Sequence, residues 1–303
     1  MTSPGLDIVI VAHGSKALVR SCLRSLEEYP ASRGSRTWVV DNASNDGTAE
    51  MVRNEFPDVE LIASPRNLGF AAANNIAIRR GSASYVLALN PDTRVTFGAL
   101  DHMLDLMESN ASVGIAGCRL ELEDGTFDHA ARRSFPTPLG ALGHFTRIGS
   151  RERAPAWLTQ YRAPSVERGP VDAVNGAFML IRRLALEEVG SFDDGYWMYM
   201  EDLDLCYRFA QAGWTTWYEP GATVVHIKAG SSGRRRKPRL DYAFHHGMLR
   251  FYRTHYAAER HPLLNVAVYA GIGIKLAVSL VASAVGRRAP TARRSGSPSR
   301  AHT

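Results

Sequence analysis

The sequence predicts an α/β fold in which a mainly parallel sheet is covered by helices on both faces. Over residues 6–117, short apolar runs alternate with segments whose apolar residues recur at helical spacing. Most of these runs are apolar throughout, as expected of strands that are buried on both faces. Such alternation favours parallel strands that are joined by crossover helices.

The predicted elements of the first half follow one another closely. Strands are predicted at 6–11, 38–40, 59–63, 85–89 and 113–117, and helices at 16–29, 48–56, 69–80 and 97–107. After residue 119 the pattern changes, and Asp124-Gly125 predicts a hairpin turn. Residues 135–170 are rich in Pro, Gly and Arg and lack periodicity, which is typical of a surface loop or an insertion.

Periodicity returns in the second half and ends in a long apolar stretch. Strands are predicted at 174–181, 215–218 and 223–226, and helices at 183–189 and 201–212. Residues 263–285 are almost wholly apolar and long enough to cross a bilayer. Lys275 and Asn265 within this stretch favour an interfacial helix, or two short ones, on a membrane surface. A soluble helix packed on the domain is the alternative.

Composition places the chain among ordinary globular proteins. Its 303 residues suffice for one large domain with an appendage, or for two small domains. Hydrophobic residues make up 45% and charged residues 22%, which excludes wholesale disorder. Cys22, Cys118 and Cys206 are far apart, which argues against a disulfide framework or a cysteine zinc site. Residues 1–6 are too short and polar for a signal peptide, so a cytosolic catalytic domain is expected.

The net charge of +6 is unevenly distributed, with basic clusters at 234–237 and 287–300. Such clusters bind nucleic acid, anionic lipid or diphosphate groups. The sequence contains no recognisable nucleic-acid-binding module, so nucleic acid is not expected as a partner. From residue 293 onward, a solvated tail is the simpler interpretation.

Polar residues follow three of the predicted strands, where ligands bind in open parallel sheets. These groups are His13-Gly14-Ser15, Asp41-Asn42 and Asn90-Pro91-Asp92. Asp41 is suited to accept a hydrogen bond from the imide N–H of a pyrimidine base, although it also suits a simple turn. The first of these turns contains no GxGxxG, which argues against a dinucleotide cofactor.

Two further acids predict the chemistry. Asp92 is the best candidate to hold Mg²⁺ or Mn²⁺ on a leaving diphosphate, and His226 could be a second ligand or a structural residue. Asp202, at the start of a predicted helix, is the candidate base that takes a proton from an attacking hydroxyl. A first-turn acid that stabilises the helix dipole is the alternative. The predicted acceptor contacts are Trp197, Tyr199, Glu201 and Asp204.

Seven segments carry a family resemblance and run in family order between residues 7 and 256. They are VVDNASNDGT (39–48), NLGFAAANN (67–75), LNPD (89–92), VNGA (174–177), Phe192-Asp193, EDLDLCYR (201–208) and His226. This set resembles the family 2 glycosyltransferases with the GT-A fold, especially a bacterial rhamnosyltransferase-like branch.

The resemblance implies a role for each matching position. Asp202 would be the base of an inverting single displacement, and Asp92 and His226 would lie at the metal and diphosphate. Asn90 departs from the pattern, since many relatives carry Asp there, and an amide weakens the cation site. The expected nucleotide-sugar site consists of Ala12, His13, Gly14, Asp41, Asn42, Asn67, Gly69, Asn74, Asn90, Asp92, Asn175 and Gly176.

The expected organisation is a GT-A domain at 1–256, an apolar membrane-associating segment at 257–288 and a basic disordered tail at 289–303. The domain would divide into a nucleotide-binding half at about 1–118 and an acceptor and catalytic half at about 119–256.

The resemblance also implies substrates and a cellular location. The donor would be dTDP-rhamnose and the acceptor a polyprenyl-diphosphate-linked sugar, used in cell-wall or surface polysaccharide assembly. The enzyme would work at the inner face of the cytoplasmic membrane, against an anionic membrane surface, and a homodimer is left open. Alternatives are a UDP- or GDP-sugar donor, a nucleotidyltransferase on the same fold, and a non-catalytic glycan- or lipid-binding scaffold. The nucleotidyltransferase would need a phosphate loop richer in Gly and basic residues than 13–16.

Overall fold

The computed structural model describes residues 5–136, 166–227 and 238–288. The strands are β1 Leu6–Ala12, β2 Ser35–Asn42, β3 Glu60–Ser64, β4 Tyr85–Leu89, β5 Thr93–Val95, β6 Val113–Glu121, β7 Arg132–Arg133, β8 Gly169–Pro170, β9 Ala173–Val174, β10 Phe178–Arg182 and β11 Thr215–His226. The helices are α1 Lys16–Glu28, α2 Thr48–Glu55, α3 Phe70–Ile78, α4 Ala99–Ser109, α5 Arg183–Val189, α6 Glu201–Gln211, α7 Pro238–His255 and α8 Pro262–Arg288, with 3₁₀ turns at His129–Ala131 and Ala257–Glu259.

One mixed sheet organises these elements in the order β3-β2-β1-β4-β10-β6-β11-β5, with β8 paired to β11. Strands β1 to β4 are mutually parallel where they pair, and β6 is parallel to β11. Strand β10 is antiparallel to both of its neighbours, β4 and β6. The predicted mostly parallel α/β sheet, flanked by helices and followed by an apolar helical extension, is confirmed.

The core lies on both faces of this sheet. Ile8 and Ile10 of β1 belong to one apolar cluster, and Val9 between them belongs to the cluster on the other face. All three side chains are at most 1% exposed. Burial on both faces explains why these strands read as continuous apolar runs rather than as alternating ones.

Three predicted elements differ from the observed ones. The strand predicted at 174–181 is divided into β9 and β10 by a turn, in which Asn175 Oδ1 accepts a hydrogen bond from Ala177 N at 2.8 Å. The strands predicted at 215–218 and 223–226 form one strand, β11, with a register shift between Glu219 and Thr223. Strand β5 was not predicted, since three residues between helices are too short to show a pattern.

The apolar C-terminal stretch is one helix, α8, rather than two. By length and composition Pro262–Ser283 could cross a membrane, and only 6% of its most apolar window is buried. Two side-chain hydrogen bonds hold α8 on α7. Tyr252 Oη donates to Asn265 Oδ1 at 2.7 Å, and Ser283 Oγ donates to Asp241 Oδ2 at 3.2 Å. The basic cluster at 234–237, the tail at 289–303 and most of the 135–170 stretch lie outside the described residues.

Candidate active site

The predicted metal ligand Asp92 and the predicted base Asp202 are linked through the turn that precedes β10. Asn90, two residues before Asp92, donates its backbone N–H to the carbonyl of Ala177 at 3.0 Å. The next residue back, Gly176, donates its N–H to Oδ2 of Asp202 at 3.1 Å. Because β10 runs antiparallel to β4, its start lies beside the end of β4. Asp92 and Asp202 therefore lie at the same edge of the sheet.

Three segments hold the carboxylate of Asp202. Its Oδ1 accepts from the N–H of Leu203 at 2.8 Å, and its Oδ2 accepts from Gly176 and from the guanidinium of Arg133. Arg133 also donates to the carbonyl of Val174 at 3.0 Å. The side chain of Asp202 is 11% exposed. The motif-based prediction missed Arg133, because an arginine after a hairpin carries no distinguishing pattern.

A strained backbone precedes Asp202. Tyr199 and Met200 have φ angles of 69° and 74°, in the left-handed region that non-glycine residues rarely adopt. Helix α7 packs closely here, since a Cβ on Gly247 would lie 3.0 Å from the Tyr199 carbonyl oxygen. Strain of this kind persists where surrounding packing enforces it, and it concentrates at functional sites.

Glu201 and Asp204 flank the candidate base in different environments. Burial, followed by the charge of Asp202, raises the pKa of Glu201 to about 8. Asp204 is 1% exposed and accepts hydrogen bonds from Arg208 Nε at 2.8 Å and from Tyr196 Oη at 3.2 Å. His255 Nε2 lies 2.7 Å from the same carboxylate. These contacts correct the expectation that Asp204 touches an acceptor, because they leave its carboxylate enclosed.

Asp92 faces an imidazole whose other nitrogen is fixed. Nε2 of His226 lies 3.6 Å from Oδ1 of Asp92, and Nδ1 lies 3.0 Å from Oδ2 of Asp128. Burial alone would lower the pKa of His226, but the two carboxylates outweigh it and raise the pKa to about 9. Asp128 was not predicted, because no motif surrounds it. Among the described ranges, no group of three or more His, Cys, Asp or Glu side chains is arranged as a metal site.

Asp41 is the second-last residue of β2, and its carboxylate is buried. Its side chain is 4% exposed, and within the described part of the chain its Oδ1 has no hydrogen-bond partner. Ala12 lies opposite Asp41 in the register of β1 with β2. His13 follows, with Nδ1 2.9 Å from the carbonyl of Asn42, and Gly14 donates its N–H to Ser44 Oγ at 2.9 Å.

The predicted asparagines of this region hold the backbone. Asn42 Nδ2 donates to Asn67 Oδ1 at 3.2 Å and to the Gly69 carbonyl at 3.0 Å, and Asn42 Oδ1 accepts from Leu68 at 2.8 Å. Asn74 donates to the carbonyl of residue 70 at 3.0 Å, and its buried Oδ1 lacks a partner in the described structure. The asparagines that the motifs predict to bind the nucleotide sugar therefore also fix the 67–70 loop.

Gly69 brings the 67–70 loop against the aromatic segment before Asp202. Its φ is +86°, and a Cβ there would lie 2.2 Å from the Trp197 carbonyl oxygen. The next residue, Phe70, donates its N–H to that same oxygen at 2.8 Å. The indole of Trp197 is covered by Arg239 of α7, whose Cζ lies 4.1 Å from the ring centroid.

The mostly parallel sheet flanked by helices, with one acid after β4 and a second at the start of α6, agrees with the GT-A fold that the motifs imply. The family model described as Glycosyl transferase family 2 matches residues 7–190, and the chain belongs to that family. The resemblance inferred from the motifs is thus confirmed.

Two curated proteins and one solved structure are similar to this chain. The N-acetylglucosaminyl-diphospho-decaprenol L-rhamnosyltransferase of Mycobacterium tuberculosis is 33% identical over 254 residues, which cover 80% of this chain and 81% of the relative. Rhamnosyltransferase WbbL of Escherichia coli is 26% identical, with 72% of this chain and 82% of the relative covered. The solved mannosyltransferase of Pyrobaculum calidifontis, in complex with GDP-Man and Mn²⁺, has a TM-score of 0.58 at 17% identity, and it covers 94% of this chain and 76% of that chain. The last likeness concerns the fold alone.

Proposed function

We propose that this chain transfers L-rhamnose from dTDP-rhamnose, with inversion, to a sugar carried on a polyprenyl diphosphate. The observation that carries this proposal is the placement of Asp92 and Asp202 at one edge of the sheet, joined through Asn90–Ala177 and Gly176–Asp202 hydrogen bonds. The similarity to the mycobacterial L-rhamnosyltransferase, whose name specifies a diphospho-decaprenol acceptor, supports the choice of donor and acceptor.

In the proposed reaction, Asp202 removes a proton from the acceptor hydroxyl. The freed oxygen attacks the anomeric carbon from the side opposite the diphosphate. A new carbon–oxygen bond forms as the bond to the diphosphate breaks, so dTDP leaves and the proton remains on Asp202. Arg133 and the N–H groups of Gly176 and Leu203 hold the carboxylate in a fixed orientation through three hydrogen bonds.

Asp41 is the residue assigned to the base of the donor. Its buried Oδ1 lacks a hydrogen-bond partner within the described chain, and an unsatisfied buried acceptor is costly. The imide N–H of thymine would satisfy it. Uracil offers the same group, so this contact supports a pyrimidine nucleotide and leaves the sugar to other residues.

Asp92 and His226 fit Mg²⁺ or Mn²⁺, and binding of the cation would displace the proton that the imidazole otherwise carries below about pH 9. Their facing atoms are 3.6 Å apart, close to the roughly 3 Å between neighbouring ligands of a cation with bonds of about 2.1 Å. Asp128 holds the other imidazole nitrogen, which is the usual support of a metal-binding histidine. When bound, the cation would supply positive charge that stabilises the leaving diphosphate.

We infer that the enzyme works at the cytoplasmic face of a membrane. The exposed apolar side chains of α8 support contact with a membrane surface. Leu263 is 73% exposed, Ile274 66% and Val278 63%. A helix with such a face lies stably at a lipid surface. A polyprenyl-linked acceptor would be held in that same membrane.

A donor panel tests the proposed function. The protein would be incubated with Mn²⁺, a short-chain prenyl-diphosphate-linked N-acetylglucosamine, and dTDP-rhamnose, UDP-glucose or GDP-mannose in separate reactions. We expect a disaccharide only from dTDP-rhamnose, with the anomeric configuration opposite to that of the donor by NMR. Product from UDP-glucose or GDP-mannose alone would refute the donor assignment, and binding without any transfer would favour a non-catalytic scaffold.

A further inference from the structure

Helices α7 and α8 enclose a groove outside the catalytic crevice. Its volume is about 590 Å³, which falls within the roughly 300–1,000 Å³ of small-molecule sites. Leu249 of α7 and Tyr269, Ile272 and Leu276 of α8 supply apolar walls. The α8 residues recur at intervals of three and four, so they form one continuous face along the helix.

Polar contacts toward both ends of the helix pair keep the groove in a fixed shape. Tyr252 is tied to Asn265 at one end, and Asp241 is tied to Ser283 at the other. The two helices run antiparallel between these ties. The groove is therefore a lined space between two docked helices and does not result from a frayed terminus.

One wall carries a buried nitrogen that lacks a partner. His245 is 4% exposed, and its Nδ1 lies 2.7 Å from the carbonyl of Asp241. Its Nε2 has no hydrogen-bond partner among the residues that the structure describes, although His245 lines the groove. A buried polar atom without a partner is costly, so an occupant with a polar group would stabilise this site.

The ionisable side chains that line the groove include basic residues and, in the described part of the chain, no acidic ones. Arg253 and His246 also line the groove, and no acidic side chain does so within the described residues. An occupant that complements this lining has an apolar body and an anionic group.

The helix that lines the groove also contacts the segment before Asp202. Gly247 of α7 packs against the backbone of Tyr199, and the ring of Phe244 lies 6.1 Å from that of Tyr199. Arg239, at the start of α7, covers Trp197. The residues of α7 that line the groove and those that contact Tyr199 lie on opposite faces of the helix. A lipid in the groove would therefore be separated from the aromatic segment before Asp202 by the width of one helix, about 10 Å.

We propose that this groove binds the isoprenoid chain of the lipid-linked acceptor, with its diphosphate near Arg253. The proposal rests on the proposed function, because that function supplies a diphosphate-bearing lipid. It adds a site that is separate from the donor and metal residues.

Two glycines of α8 provide a matched test. Gly273 lines the groove and Gly271 does not, and a Cβ on either would meet no atom within 4 Å. Gly273→Phe should fill the groove, whereas Gly271→Phe adds the same side chain to the same helix elsewhere. For both full-length variants and the parent, the affinity for a fluorescent farnesyl diphosphate would be measured by anisotropy. The KM for N-acetylglucosamine acceptors with a long prenyl chain and with a methyl group would be measured in parallel.

We expect Gly273→Phe to weaken probe binding and raise the long-chain KM about tenfold, since a few methylene groups lose their apolar cover. The KM for the methyl acceptor should stay unchanged, and Gly271→Phe should behave like the parent. Equal affinity of all three proteins for fluorescent farnesyl diphosphate would refute the proposal that the groove binds the isoprenoid chain. Loss of probe binding in Gly273→Phe, together with no transfer by the parent, would support the groove and refute the proposed function.

A charge variant keeps the proposal testable if Gly273→Phe does not fold. Arg253→Gln should weaken fluorescent farnesyl diphosphate about tenfold and leave farnesol binding unchanged, because only the diphosphate pairs with the guanidinium. Phosphatidylglycerol vesicles that displace the probe as well as unlabelled undecaprenyl diphosphate does would reveal a general membrane contact and overturn a specific site.

Discussion

At position 202, one carboxylate collects donors from three parts of the chain. Leu203 belongs to the same helix, Gly176 to the turn before β10, and Arg133 to β7. A side chain fixed by three donors has little rotational freedom, so its free lone pairs point in a defined direction. Orientation of this kind is what a general base requires, since proton transfer depends on hydrogen-bond reach.

Replacing this base tests its role. Asp202→Asn should lower kcat by about 10³-fold, because an amide has the same shape and cannot accept the proton. Donor affinity would be measured by calorimetry with dTDP-rhamnose and Mn²⁺. It should change by less than about twofold, because Asp41 and Asp92, which are assigned to the donor and its metal, lie on other elements than Asp202. A variant that retains kcat would show that another group takes the proton.

Replacing Gly69 should perturb the 67–70 loop. Gly69→Ala places a methyl group 2.2 Å from the Trp197 carbonyl oxygen, so the loop must shift. We expect the free energy of unfolding, from urea titration, to fall by about 3 kcal/mol. Gly98→Ala is the control. It has a similar φ of +72° with no atom within 4 Å, so strain alone should cost about 1 kcal/mol. Equal losses in the two variants would rule out the clash.

Motif-bearing residues of the site could be predicted from the sequence, and their partners could not. Asp41, Asp92 and Asp202 each follow a recognisable local pattern. Arg133 and Asp128 contact the site from a hairpin whose sequence resembles any other. Their importance arises only from the fold, which brings residue 133 to residue 202 and residue 128 to residue 226.

Among the elements, α6 and α7 are joined by a buried ionic network around Asp204. Arg208 comes from the same helix, and His255 comes from the end of α7. Removing one partner of a buried ion pair leaves the others uncompensated. The acidic motif of α6 thus combines Asp202, the proposed base, with Asp204, which attaches α7 to the domain.

Asp204→Asn should reduce the free energy of unfolding at pH 7 by about 3 kcal/mol. Burial would raise the pKa of Asp204, but His255 and Arg208 outweigh it and hold the pKa below its usual value. A carboxylate with a lower pKa in the folded chain stabilises the fold above its unfolded pKa, and this contribution fades as the pH falls below it. Urea titrations from pH 7 to pH 3 should therefore show the difference between parent and variant shrinking below about pH 4.

The exposed pair Arg24–Glu27, with side chains 57% and 51% exposed, provides the contrast. Arg24→Gln should cost less than about 1 kcal/mol, because exposed pairs contribute little. A difference for Asp204→Asn that stays constant down to pH 3 would contradict the assigned cause.

Element positions were predicted well where periodicity extends over a whole element. Helix α1 and strand β4 match their predicted bounds within a residue. The turn at 175–177 was missed because its flanks, Val174 and Phe178, are apolar and favour one continuous strand. The turn forms because Asn175 and Gly176 bond to neighbours that are distant in sequence.

At the scale of the whole molecule, the sheet order could not be predicted from local patterns. A buried strand has the same composition whether it pairs in parallel or antiparallel. The antiparallel direction of β10 could therefore not be predicted from its sequence. The α/β class was nevertheless correctly predicted, because it follows from the alternation of strands and helices.

The exposed face of α8 predicts binding to a membrane. The parent should float with anionic vesicles, and Ile274→Asp should lower the bound fraction about tenfold, because a charge opposes burial in lipid. Phe97→Asp is the control, since Phe97 is 88% exposed and lies far from α8 in sequence, beside α4. Equal flotation of the parent and both variants would show that α8 does not contact the lipid.

The small ribbon of β7 and β9 has a consequence for protein engineering. Arg132 pairs with Val174 and Arg133 with Ala173, and Phe135 donates its N–H to Asp172 at 2.9 Å. These pairs join the two flanks of the chain between residues 136 and 166, directly beside the contacts of Asp202. Segments of other lengths can therefore be grafted between these two anchor points, because the ribbon pairs both flanks whatever length of chain joins them. The donor chemistry would remain on the host scaffold.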